Sequence, residues 1–74
     1  MSFVRKLISG SKIKEARRRL AENPSSEGYG ALVAAHARDG DFDEAVRVCQ
    51  EGIEVYGNDP ELLRLFHRMR ELRL

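Results

Sequence analysis

The chain has 74 residues, a formal net charge of +1 and one cysteine. This length allows one domain with a small core, the lone Cys49 excludes an intramolecular disulfide, and no apolar run is long enough to cross a bilayer. The apolar stretch near the N-terminus is short and interrupted by Arg5 and Lys6, unlike a secretory signal, so we expect a cytoplasmic location.

The first 24 residues predict two short helices. An apolar stripe at helical spacing indicates the first of them: Phe3, Val4, Leu7 and Ile8. Residues 9–11 predict a break, because Gly10 suits a helix C-terminus and serine caps a following helix. The second helix, from about residue 12 to residue 22, ends before Pro24, since proline disfavours the helical conformation of the residue that precedes it.

Residues 25–58 predict a helical hairpin. A serine N-cap and Glu27 begin a helix of about residues 26–38, which ends at Gly40. An acidic turn follows, and the helical period then continues from Phe42 to a stop signal at Gly57. The inward stripe of the first helix is Tyr29, Leu32, Val33 and His36, and that of the second is Phe42, Ala45, Val46, Cys49, Ile53 and Tyr56.

A last helix begins at Asp59, an N-cap, with Pro60 at the first helical position. Its apolar stripe is Leu62, Leu65, Phe66, Met69 and Leu72. Because no predicted helix follows to cover this stripe, we expect those five residues to mediate self-association as a homo-oligomer. The alternative explanation is that the chain is a fragment of a longer protein and lacks its next helix.

Charge is also segregated along the chain. Residues 1–24 carry a net +5, residues 25–59 a net −6 and residues 60–74 a net +2. Opposite charges at different places on one surface favour pairing with another copy, or with a partner whose charge is itself segregated.

An internal repeat relates the two halves of the chain. The stripe of residues 29–36 recurs in residues 62–69 with a constant offset of 33, and GSKIKEA at residues 10–16 is similar to GDFDEA at residues 40–45. A helix pair that recurs at about 34 residues is the pattern of stacked helical repeats. The chain resembles a tetratricopeptide repeat at Tyr29, Leu32, His36, Gly40, Phe42, Glu44, Ala45, Cys49, Ile53 and Val55.

The resemblance implies an all-α fold in which four or five helices form a right-handed stack of antiparallel hairpins. Residues 1–24 would be a degenerate first repeat, residues 25–58 a complete repeat, and residues 59–74 a C-terminal capping or interface helix of the same single domain. The family usually has a small residue where Val33 stands, an aromatic residue where His36 and Cys49 stand, and alanine where Gly52 stands.

The resemblance also implies a non-enzymatic adaptor that binds a protein, as a helix or peptide, in a shallow groove. The groove residues carried over by matched position are Gly30, Ala34, Ala37, Arg38, Leu63, His67 and Arg70. Gly30 and Ala34 stand where family members use Lys and Asn to clamp a C-terminal carboxylate, so chaperone-tail binding is disfavoured.

Residues of types that can catalyse a reaction or bind a metal have simpler structural explanations here. We expect His36 and Cys49 to face each other within the hairpin, but no further ligand pair accompanies them, and free cysteine behaves as a small core residue. We therefore predict no catalytic residue, metal or cofactor. The alternative function is nucleic-acid binding by a basic helix, whose cations would contact phosphates. The helix has no interleaved aromatic residue on which bases would stack, which argues against this alternative. That basic patch is Lys12, Lys14, Arg17, Arg18 and Arg19.

Overall fold

The computed structural model describes the backbone of residues 2–73 and the side chains of residues 12–73. This part of the chain forms four helices: α1 (Ser2–Glu22), α2 (Ser26–Arg38), α3 (Phe42–Tyr56) and α4 (Pro60–Arg73). Each helix packs against the next one, and α2 also packs against α4. The predicted all-α stack of antiparallel hairpins is confirmed.

The predicted break at residues 9–11 is wrong, because α1 is a continuous helix. A glycine in a helix interior costs only about 1 kcal/mol relative to alanine, and a serine costs less. Gly10 and the two flanking serines therefore do not end a helix that contains no proline. The apolar stripe predicted for residues 3–8 lies outside the side chains that the structure describes.

Side-chain caps begin the other three helices where the sequence predicts. Ser25, Asp41 and Asp59 each accept a hydrogen bond from the backbone N–H three residues later, at 2.9, 3.3 and 3.1 Å respectively. Each bond satisfies a backbone donor that the first turn of a helix leaves without an internal partner. Gly40 (φ 78°) and Gly57 (φ 66°) follow the ends of α2 and α3 in the left-handed region that glycine tolerates.

The core lies between α2, α3 and α4. Its fully buried members include Val33, Val48, Cys49 and Leu62. One side of α1 packs against the same core through Ile13, Ala16 and Leu20, which are half-buried. This is the apolar stripe predicted for residues 12–22, so the C-terminal half of α1 packs on the hairpin.

Gly52 on α3 lies close to side chains of both α2 and α4. It is buried on α3, and a Cβ atom at this position would lie 3.0 Å from Tyr29 Cγ on α2 and 3.0 Å from Leu62 Cδ1 on α4. The Tyr29 ring is held in turn by Tyr56, edge to face at 6.0 Å between centroids. The alanine that is usual in the family at this position would require its neighbours to shift here.

No helix in the described part of the chain has the length and apolar character required to cross a membrane.

Candidate protein-binding surfaces

A trough runs along α2, with α1 on one side and α4 on the other. The depression between α1 and α2 has a volume of about 490 Å³, and the depression between α2 and α4 has a volume of about 530 Å³. The exposed side chain of Ala34 lines both of them. We call the two depressions together the α2 trough.

Small residues form the floor of the α2 trough, for two different reasons. A Cβ atom at Gly28 would lie 2.9 Å from Leu20 Cδ1, so this glycine admits α1 of the same chain. A Cβ atom at Gly30 would meet only Leu65 Cδ1, at 3.7 Å, which is ordinary contact. Gly30 and Ala34 thus leave open space above α2, and a partner helix could approach closely there.

The two sides of the α2 trough carry opposite charge. Three cations line the α1 side, Lys12, Arg19 and Arg38. The carboxylate of Glu15 lies beside them and is 2.7 Å from Arg19 Nη2. Three acids line the α4 side: Glu27, Asp59 and Glu61. A ligand in the trough therefore lies between a basic edge and an acidic edge.

The predicted groove residues do not form one surface. Gly30, Ala34 and Arg38 line the α2 trough, and Ala37 is half-buried against the core. Leu63, His67 and Arg70 lie instead on the opposite side of α4. The offset of 33 maps residues 30 and 34 onto residues 63 and 67, but those two α4 residues lie beside α3, on the side of α4 away from the trough.

The α4 residues that do line the α2 trough are Pro60, Glu61 and Leu65. The sequence prediction missed all three as groove residues. In the sequence, Pro60 and Glu61 indicate the start of a helix, and Leu65 belongs to the last apolar stripe. Only the packing of α4 against α2 shows that they border a shared depression.

A second surface, which we call the end face, lies between α3 and α4. Apolar side chains of both helices line a depression of about 440 Å³, together with polar neighbours. Its lining residues are Gln50, Ile53, Glu54, Leu63, Phe66 and His67. Beyond His67, the surface continues into a depression lined by Arg70, Glu71 and Arg73.

The structure divides the five residues predicted for self-association. Leu62 and Met69 are 0% and 7% exposed and belong to the core, so the expectation that they lack a covering helix is wrong for these two. They are buried because α4 turns this side toward α3 and α2. Leu65 borders the α2 trough, Phe66 lines the end face, and Leu72 is 45% exposed.

His36 and Cys49 are both buried, but they do not form a hydrogen-bonded pair. Neither ring nitrogen of His36 has a hydrogen-bond partner among the described residues. Burial raises the pKa of the Cys49 thiol to about 11, which makes a thiolate at neutral pH unfavourable. In the described residues, no group of three or more His, Cys, Asp or Glu side chains is placed to hold a metal ion.

The basic patch of α1 is exposed but divided. Lys12 and Arg19 border the α2 trough. The hydrogen bond from Arg47 is the main cause that holds the pKa of Glu44 below its usual value, and the charge of Arg17 adds to it. Two of the five cations of the predicted patch therefore belong to the α2 trough.

The fold and its trough define a helical-repeat module of the kind that binds other proteins. The family model described as Tetratricopeptide repeat matches residues 26–69, more than half of the chain. The chain belongs to the tetratricopeptide repeat family, whose repeats generally mediate protein–protein interaction. The match gives no support to the nucleic-acid alternative. Comparisons with curated proteins and with solved structures find no match.

Proposed function

We propose that this protein is a non-enzymatic adaptor that binds a helix or peptide of another protein in the α2 trough. The observation that carries the proposal is the floor at Ala34, an exposed small side chain that borders both depressions. Depressions of about 490 and 530 Å³ are large enough for several side chains of a ligand. Small residues on the floor allow close helix packing, at the short end of the range of interaxial distances.

The charged edges define which helix fits. Its edge toward α1 would carry acidic side chains opposite Lys12 and Arg38, and its edge toward α4 would carry basic side chains opposite Glu27. Such an arrangement selects the orientation of the ligand and speeds association more than it increases affinity. Binding should weaken as salt concentration rises, because these groups are exposed.

The test compares three forms of the protein in a capture experiment with identification of bound proteins. Ala34→Arg places a long charged side chain across the trough, whereas Ala21→Arg places the same side chain at an exposed position of α1 outside it. We expect the wild type and Ala21→Arg to capture the same proteins and Ala34→Arg to lose them. Equal capture by Ala34→Arg would exclude the trough as the binding site.

We propose separately that copies of the chain self-associate through the end face. The supporting observation is the row of half-buried apolar side chains, Ile53, Leu63 and Phe66, that line the depression of the end face. Sedimentation velocity over a concentration series tests this directly. A strict monomer at the highest concentration would contradict it.

A further inference from the structure

The end face has an apolar centre and opposite charges on its two sides. Phe66 lies at the centre, where the Arg70 guanidinium carbon is 5.4 Å from its ring centroid. Glu54 borders the depression from the α3 side. Within the described residues, neither Glu54 nor Arg70 forms a salt bridge, so both charges are available to a partner.

The register of α3 against α4 fixes the height of Glu54 on this face. The two helices are antiparallel neighbours, and Arg73 Nε lies 3.7 Å from Asp43 Oδ1 at one end of the pair. Counting eleven residues inward along both helices reaches Glu54 on α3 and Leu62 on α4, whereas the contact of Gly52 with Leu62 places Glu54 near Pro60. Glu54 is therefore level with a point four to six residues before Phe66.

Arg70 stands four residues after Phe66, on the other side of the centre. At a rise of 1.5 Å per residue, Glu54 lies about 6–9 Å and Arg70 about 6 Å along the helix axis from Phe66, on opposite sides of it. A two-fold axis beside Phe66 would reverse the direction of α4 in the second copy. It would bring the acid of each copy to within about 3 Å, along the helix axis, of the base of the other.

We propose that two copies pair through the end face about this two-fold axis, with Phe66 at the centre and Glu54 of each copy paired with Arg70 of the other. The inference rests on the proposed self-association and is independent of ligand binding in the α2 trough. An isologous interface of this kind is closed, so it yields a dimer and no larger assembly. Leu63 and Ile53 would supply apolar contact on both sides of the axis.

Reversal of one charge distinguishes this geometry from others. In Glu54→Arg both facing positions are arginine, and in Arg70→Glu both are glutamate, so a dimer of either variant has two like-charge contacts. We expect the dissociation constant of each variant to rise by about tenfold at low salt, since two weak attractions become repulsions. Glu22→Arg and Arg18→Glu, which change exposed positions on α1, should leave it unchanged.

Mixing the two variants provides the decisive measurement. In a mixed dimer of Glu54→Arg with Arg70→Glu, each arginine faces a glutamate of the other chain, so dimerisation should return to the wild-type value. The double variant Glu54→Arg/Arg70→Glu should also dimerise. Circular dichroism of each variant checks that the helices are intact.

The outcomes separate the inference from the proposals it accompanies. A wild type that remains monomeric overturns both self-association and the two-fold pairing. A wild-type dimer with a mixture that stays monomeric overturns only the pairing of Glu54 with Arg70. Ala34→Arg, which changes the trough, should leave the dimer intact in every case.

Discussion

His36 is a polar residue in a buried position. It is 4% exposed on α2, and neither ring nitrogen has a hydrogen-bond partner in the described structure. A buried polar group without a partner costs about 1–3 kcal/mol. The tetratricopeptide repeats that this sequence resembles usually have an aromatic residue at this position, which would fill the space without polar atoms.

We predict that His36→Phe raises the free energy of unfolding by about 1 kcal/mol, because the lost penalty exceeds the strain of a slightly larger ring. Urea denaturation measures the change. His36→Asn is the matched control, since it retains a buried polar group and should not stabilise the fold. A His36→Phe variant less stable than the wild type would show that the imidazole has a partner such as an ordered water.

Cys49 gives a prediction for alkaline pH. Burial raises the pKa of its thiol in the folded protein to about 11, from 9.0 as the reference value, so the unfolded chain loses its proton first. The contribution of this group to stability is complete below pH 9 and is lost as the pH rises toward 11. The resulting loss in the free energy of unfolding is at most about 3 kcal/mol.

The measurement is the free energy of unfolding at several pH values between 8 and 11, for the wild type and for Cys49→Ala. The difference between the two slopes isolates the contribution of the thiol. We expect a steeper loss of stability in the wild type. Parallel slopes, or rapid labelling of Cys49 by a thiol reagent in the folded protein at pH 7, would contradict the burial.

At the scale of the helices, two glycines make opposite predictions for the same substitution. Alanine is favoured over glycine in a helix by about 1 kcal/mol. At Gly52 the new Cβ atom would lie 3.0 Å from Tyr29, whose ring is held by Tyr56. At Gly30 the nearest atom, on Leu65, is 3.7 Å away.

We therefore predict that Gly52→Ala lowers the free energy of unfolding by about 1 kcal/mol in total. The required shift of α2 or α4 costs more than the substitution gains in helix propensity. Gly30→Ala should raise it by about 1 kcal/mol. Thermal or urea unfolding of the two variants side by side provides the comparison. The same sign for both variants would indicate that helix propensity, and not helix spacing, decides the effect.

The sequence allowed the limits of α2, α3 and α4 to be predicted well, because caps act locally. Ser25, Asp41 and Asp59 each satisfy a donor within three residues, so no knowledge of the rest of the fold was needed. Gly10 was misjudged because its local preference is too weak to end a helix. Such weak signals are decided by the whole segment.

The division of residues between the two binding surfaces could not be predicted in the same way. The repeat maps Leu63 and His67 onto Gly30 and Ala34. It could not show that α4 turns those positions away from α2, because that depends on the angle at which the helices pack. Sequence periodicity assigns a residue to a side of its helix, whereas packing determines what that side meets.

For the whole molecule, self-association predicts that thermal stability depends on protein concentration. A dimer that forms only from folded chains stabilises the folded state by mass action. The Tm of the wild type should rise as the concentration is increased a hundredfold, and the Tm of Glu54→Arg should rise less. Differential scanning fluorimetry is sufficient, and a wild-type Tm that does not change would contradict a folded dimer.

The position of α4 has a consequence for how the two surfaces influence each other. Leu65 borders the α2 trough, and its neighbour Phe66 lines the end face, so one helix contributes to both. If a ligand in the trough alters the affinity of one copy for another by some factor, dimerisation must alter the affinity for that ligand by the same factor. Titrating the ligand against monomeric and dimeric protein would therefore measure a single coupling free energy in two independent ways.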